Sequence, residues 1–157
     1  MHKRCRDVAC RAERVNMGVR KVMTRSGRNY RSYFPSKKLN RMVHCESILE
    51  RKAVHLFENS NLVVSFQEQP IQIWYAEEEK IKTYFPDFLL RLEKSEGLIE
   101  VKPSSELLKP NVNKKFNSIH DHFRKKHMNF LILDEKIINS PNAQQEFDYV
   151  ISEFFNS

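Results

Sequence analysis

The sequence predicts an α/β or α+β sandwich with a mixed central β-sheet flanked by helices, and three observations predict it. Apolar runs of strand length are grouped in the middle of the chain, helix-period segments lie on both sides of them, and a short, fully apolar strand follows the second helix. The elements follow in order. Residues 45–58 hold Ala, Leu and straight-chain charged residues with no Gly or Pro, the composition of a helix. At about 100° per residue, Leu49, Ala53, Val54, Leu56 and Phe57 form one apolar face, and Glu46 and Glu50 fall inside the same arc. A buried, unpaired carboxylate costs several kcal/mol. Either these acids edge the face and pair with Arg51 or Lys52, or they belong to a site. After the turn at 59–61, residues 62–67 and 71–75 read as strands separated by Glu68, Gln69 and Pro70. Residues 77–80 make a polar hairpin tip. Residues 84–92 and 98–102 read as two antiparallel strands joined by a loop that ends on Gly97. Pro103 and Pro110 lead into a helix over about 111–126 through Val112, Phe116, Ile119 and Phe123. Residues 129–133 suit an interior parallel strand reached by a helical crossover. A final helix spans 144–155 through Phe147, Val150, Ile151 and Phe154.

The chain of 157 residues is long enough for one sizeable core. Its net charge of +7 is unevenly distributed: residues 1–44 carry 13 Lys/Arg against 2 acids, and residues 45–157 carry 14 against 18. A basic arm, extended or partly ordered, is therefore expected to precede a mildly acidic body. Within it Arg25, Arg28, Arg31, Lys37, Lys38 and Arg41 interleave with Tyr30, Tyr33 and Phe34, a mixture suited to phosphate contact and stacking. The apolar runs, such as 130–133, are far short of a membrane span, and no apolar segment follows the basic start as a signal peptide requires. Cys5, Cys10 and Cys45 are an odd set without a CxxC, which suits a reducing compartment. A cytoplasmic protein without a membrane partner is expected. His2, Cys5, Cys10 and His44 fit no standard zinc spacing. Three glycines leave no glycine-rich phosphate loop.

The chemistry-bearing segment is Pro86-Asp87 followed by Glu100-Val101-Lys102. Side chains alternate along a strand, so Glu100 and Lys102 share a face and Val101 points to the opposite layer. Asp87 opens the neighbouring strand, which brings its carboxylate towards Glu100. Two hard-oxygen donors with room for water and phosphate suit Mg²⁺, with Mn²⁺ as a substitute, and Lys102 is placed to orient a water or meet transition-state charge. A helix carboxylate, Glu50 or Glu46, would complete the set. Lys114 and Lys115 lie largely outside the apolar stripe of their helix and join the arm as candidate DNA-backbone contacts.

The order of helix acid, Pro-Asp, hairpin, Glu-x-Lys, helix and strand resembles the P-D-(D/E)-x-K nuclease superfamily. More narrowly, the Ser47-Ile-Leu-Glu50, Gln69-Pro70, Pro86-Asp87 and Glu100-Val101-Lys102 blocks resemble the TnsA endonuclease family over about residues 20–133. The resemblance implies a restriction-endonuclease-like core and an endonuclease that uses Mg²⁺ at the 5′ ends of a transposon. It implies a TnsB-like DDE transposase and a TnsC-like ATPase as partners on DNA. Residue by residue it matches Glu50 to the helix acid, with Glu46 as rival, Asp87 and Glu100 to metal ligands, and Lys102 to the catalytic lysine. Gln69 falls near the site. Family members commonly add a C-terminal helical domain, and this sequence ends after one further helix, which leaves a minimal form or different partners as the expectation. Two readings stay open beside it: a phage-type nuclease of the same superfamily, such as a head-completion nuclease, and a noncatalytic DNA-binding protein on a nuclease scaffold.

Overall fold

A computed structural model describes residues 31–155. The elements are β1 (Ser32–Ser36), β2 (Arg41–Cys45), α1 (Ile48–Asn59), β3 (Val63–Glu68), β4 (Ile73–Glu77), β5 (Lys80–Tyr84), β6 (Phe88–Leu92), β7 (Glu96–Val101), α2 (Ser104–Leu107), α3 (Pro110–Lys125), β8 (Asn129–Leu133), α4 (Glu135–Ile138) and α5 (Ala143–Phe155). The strands form three sheets: a β1–β2 hairpin, a β4–β5 ribbon, and a four-stranded sheet in the order β3-β6-β7-β8. Within the last, β6 is antiparallel to both β3 and β7, and β8 runs parallel to β7. The expected mixed sheet flanked by helices is present.

Strand alternation divides the core into two layers. Phe88, Leu90, Ile99 and Val101 face α1 and α5, where Phe57 meets Phe66, Phe88 and Phe147 at ring distances of 5.4–5.7 Å. Leu98 and Phe130 face the other way, with Phe116, Ile119 and Phe123 of α3 and with Ile73, Tyr75 and Tyr84 of the ribbon. Glu100, between Ile99 and Val101, belongs to this second side, where it meets the Tyr84 hydroxyl.

Several expectations need correction. The hairpin β1–β2 lies inside the segment read as an arm, and residues 32–44 are part of the domain. Val43 and Cys45 are fully buried in the first core layer, with Phe34 and Leu39 packed against it. Residues 84–92 are not one strand. β5 ends at Tyr84, and Pro86, which has no N–H to donate, separates it from β6. Gly97 is not at the end of a loop but in β7, and an added Cβ there would stand 2.3 Å from the Phe155 ring. β8 is an edge strand, not an interior one; α3 and α5 both pack on it, which accounts for its apolar sequence. The two single-turn helices α2 and α4 are additional elements. No helix among the described residues is long and apolar enough to cross a membrane.

Candidate active site

Because β6 and β7 are antiparallel, the start of one and the end of the other lie at the same end of the sheet. Phe88 pairs with Ile99, so Asp87 comes opposite Glu100. The Asp87 carboxylate is fixed there by accepting the Val101 N–H through Oδ2 at 2.8 Å. Glu100 is almost completely buried, 3% exposed, and is one of three buried polar or charged side chains among the described residues. Its Oε1 lies 3.3 Å from the Lys102 ammonium, and its Oε2 accepts the Tyr84 hydroxyl at 2.5 Å. Glu100 and Lys102 thus share a face, as alternation requires.

The N-terminus of α1 supplies the third carboxylate. Ser47 caps the helix by accepting the Glu50 N–H at 3.0 Å, and the Glu50 carboxylate reaches back to accept the Glu46 N–H at 2.8 Å. This is close to a capping box, in which a residue three positions into the helix satisfies a donor before it. The cap fixes Glu50 where its charge bears on both Asp87 and Lys102. Glu46 lies one step further out. It interacts with Glu50 and accepts a hydrogen bond from the Gln69 amide at 3.1 Å. Gln69, held at φ 41°, also donates its backbone N–H to the Asp87 carbonyl at 2.8 Å. It links the β3 end, the Asp87 backbone and Glu46.

The electrostatics are those of an excess of carboxylates. Burial, then the charges of Glu100 and Glu50, raise the Asp87 pKa well above the ordinary carboxylate range, against the Val101 N–H and Lys102. Burial is also the main cause of the raised Glu50 pKa, only partly offset by its bonds to Glu46 and Ser47. For Lys102 burial acts to lower the pKa, but Glu100 and Asp87 together outweigh it and the ammonium is held more firmly charged than usual. Burial and the adjacent Glu100 push the Tyr84 phenol far up, so it remains a donor. Among the described residues no three or more His, Cys, Asp or Glu side chains form a ready-made metal cage. Asp87 and Glu100 instead make a two-carboxylate arrangement of the type that suits Mg²⁺, which keeps much of its water.

The candidate backbone contacts fare differently from one another. Arg25 and Arg28 lie outside the described residues, as do His2, Cys5 and Cys10. Arg31 and Lys37 are exposed at the hairpin. Lys38 turns inward and donates its ammonium to the carbonyls of Phe57 at 3.0 Å, Val63 at 2.6 Å and Ser60, where it closes the C-terminal end of α1. Arg41 forms a two-point pair with Glu68 at 2.6 and 2.5 Å, and Lys114 pairs with Glu78. Lys115 lies over the Tyr84 and Phe116 rings at 5.0 and 5.2 Å. Tyr84 is not among the site residues expected from the sequence. Its one signal was a hydroxyl-bearing aromatic three residues before Asp87.

The curated proteins contain no match to this chain. A family model described as TnsA-like endonuclease N terminal matches residues 60–135, which run from β3 through Asp87, Glu100 and Lys102 to the end of β8. That segment, with its carboxylate and lysine site at the end of a mixed sheet, is similar to the N-terminal domain of TnsA-like endonucleases.

Proposed function

We propose that the protein is a divalent-metal-dependent DNA endonuclease in which Glu50, Asp87, Glu100 and Lys102 carry the chemistry. The observation that supports this most is the meeting of three carboxylates and one lysine, from three separate elements, at one end of the sheet. Like charges held together under partial burial are costly, and such groups concentrate at functional sites. Asp87 and Glu100 are the residues that would hold Mg²⁺ or Mn²⁺, with Glu50 completing the set from α1 and Glu46 supporting Glu50. When bound, the cation would supply charge neutralisation at the phosphodiester and a lowered pKa for coordinated water.

The chain's own groups have distinct parts in this reading. The Val101 N–H fixes the Asp87 carboxylate, and the Ser47 cap fixes Glu50. The Lys102 ammonium, kept charged by Glu100 and Asp87, orients the attacking water or meets negative charge growing on the phosphate. Arg25, Arg28, Arg31, Lys37 and Lys115 would contact the DNA backbone in this reading. Lys38, Arg41 and Lys114 serve the fold first. Such contacts position a protein without reading sequence, so target choice would come from partners: a TnsB-like transposase cutting the 3′ ends and a TnsC-like ATPase, with this chain cutting the 5′ ends.

The purified protein should nick or cut plasmid DNA in Mg²⁺ or Mn²⁺ and not in chelator. Asp87→Ala and Lys102→Ala should each lower the rate on the order of 100-fold or more, with an unchanged circular dichroism spectrum. Activity that survives both substitutions would remove this site from the mechanism.

A further inference from the structure

Tyr84 is the last residue of β5 and is 5% exposed. Its ring is held on several sides. Phe116 and Phe130 meet it edge to face at 6.2 and 6.3 Å, and the Lys115 ammonium lies 5.0 Å from its centroid. A ring packed this way leaves its hydroxyl one direction, and that direction is Glu100 Oε2. The other oxygen, Oε1, faces Lys102 on the side where Asp87 and Glu50 also act. The two oxygens of one carboxylate are therefore unequal: a fixed neutral donor occupies one, and the half-exposed Lys102 accompanies the other.

We infer that Tyr84 is a positioning residue that reserves Glu100 Oε2, leaves Oε1 alone to face a cation, and thereby disfavours large cations that take both oxygens of a carboxylate. This inference rests on the metal-dependent reading above. Ca²⁺ accepts six to eight oxygens, often two from one carboxylate, whereas Mg²⁺ requires a compact octahedron and usually takes one. Groups that orient a metal ligand are typically worth about 10- to 100-fold in metal affinity.

The test is calorimetric titration of the metal-free full chain with MgCl₂ and, separately, CaCl₂, for the wild type, Tyr84→Phe and Asp87→Ala. Tyr84→Phe removes one hydroxyl and should shift the Mg²⁺-to-Ca²⁺ affinity ratio towards Ca²⁺ by about tenfold or more, with circular dichroism unchanged. A ratio equal to that of the wild type would overturn the role of Tyr84 and leave the metal site standing. Absence of Mg²⁺ binding by the wild type, or undiminished binding by Asp87→Ala, would overturn the metal reading itself and this inference with it. If Tyr84→Phe does not fold, the wild type still decides: a site offering single carboxylate oxygens should hold Ca²⁺ no more tightly than Mg²⁺, and a clear preference for Ca²⁺ would overturn the inference.

Discussion

Asp87 shows the conflict between stability and chemistry at the level of one side chain. Burial and the charges of Glu100 and Glu50 raise its pKa, so the folded chain binds a proton more readily than the unfolded chain. For an acid shifted in that direction, stability is greatest below the unfolded pKa of about 3.9. It falls as the pH rises between the unfolded and the folded value, and the penalty is fully expressed only above the folded value. Asp87→Asn removes the charge while keeping an oxygen for the Val101 N–H. Urea unfolding of the metal-free protein at neutral pH should show the variant more stable by about 0.5–2 kcal/mol, with the gain shrinking towards pH 4, although its nuclease activity is lost. A less stable Asn variant would mean that Asp87 is already compensated. Asp87, Glu100 and Lys102 were legible in the sequence because alternation along a strand is a fixed rule. Tyr84 was not, because its side chain meets Glu100 only through the break at Pro86, which joins two strands that belong to different sheets. The choice between Glu46 and Glu50 was equally hidden, since it depends on where Ser47 starts the helix.

At the scale of elements, long periodic segments were readable and short or charge-rich ones were not. α1, α3 and α5 follow patterns sustained over enough residues to reveal a face. α2 and α4 have four residues each, too few to show a period; the Asp134 side chain caps α4, whereas α2 has no side-chain cap and is held at Ser104, whose N–H and hydroxyl donate to Glu135. The β1–β2 hairpin resembles an arm in sequence because its bases look solvated, yet Lys38 and Arg41 both engage the domain. Its attachment depends on Glu58, which accepts the Ser36 hydroxyl at 2.7 Å and the Lys37 and Lys38 N–H groups at 2.8 and 3.0 Å. Burial acts to raise the Glu58 pKa, but those bonds and the Lys38 charge outweigh it and the pKa is lowered. Stability from this carboxylate is therefore present above the unfolded pKa of about 4.3 and is lost as the pH falls through the folded value. Glu58→Gln should cost about 1 kcal/mol at pH 7, after allowance for solvent screening. The variant should also lose less stability than the wild type as the pH falls below about 4.3. Parallel pH profiles for the two proteins would show that Glu58 does not hold the hairpin.

For the whole molecule, the position of the N-terminal boundary decides which charges are free to meet DNA. The hairpin contributes Val43 and Cys45 to the first core layer and the Lys38 cap to α1, so the folded unit includes it. A chain starting at residue 31 should unfold cooperatively with a melting temperature close to that of the full chain. A chain starting at residue 46 should lose cooperative unfolding, because its core layer is opened and the carbonyls at the end of α1 lose their donor. Residues 1–30 carry nine Lys/Arg against two acids, most of the positive charge first assigned to the arm. Each phosphate neutralised adds about 0.9 to the slope of log affinity against log salt on duplex DNA. The chain starting at 31 should therefore bind DNA with a slope shallower by several units, at most about 8 for nine contacts, while still cutting in Mg²⁺ at low salt. A slope unchanged by the truncation would move the phosphate contacts onto the domain and leave Arg31, Lys37 and Lys115 as its main grip on the backbone.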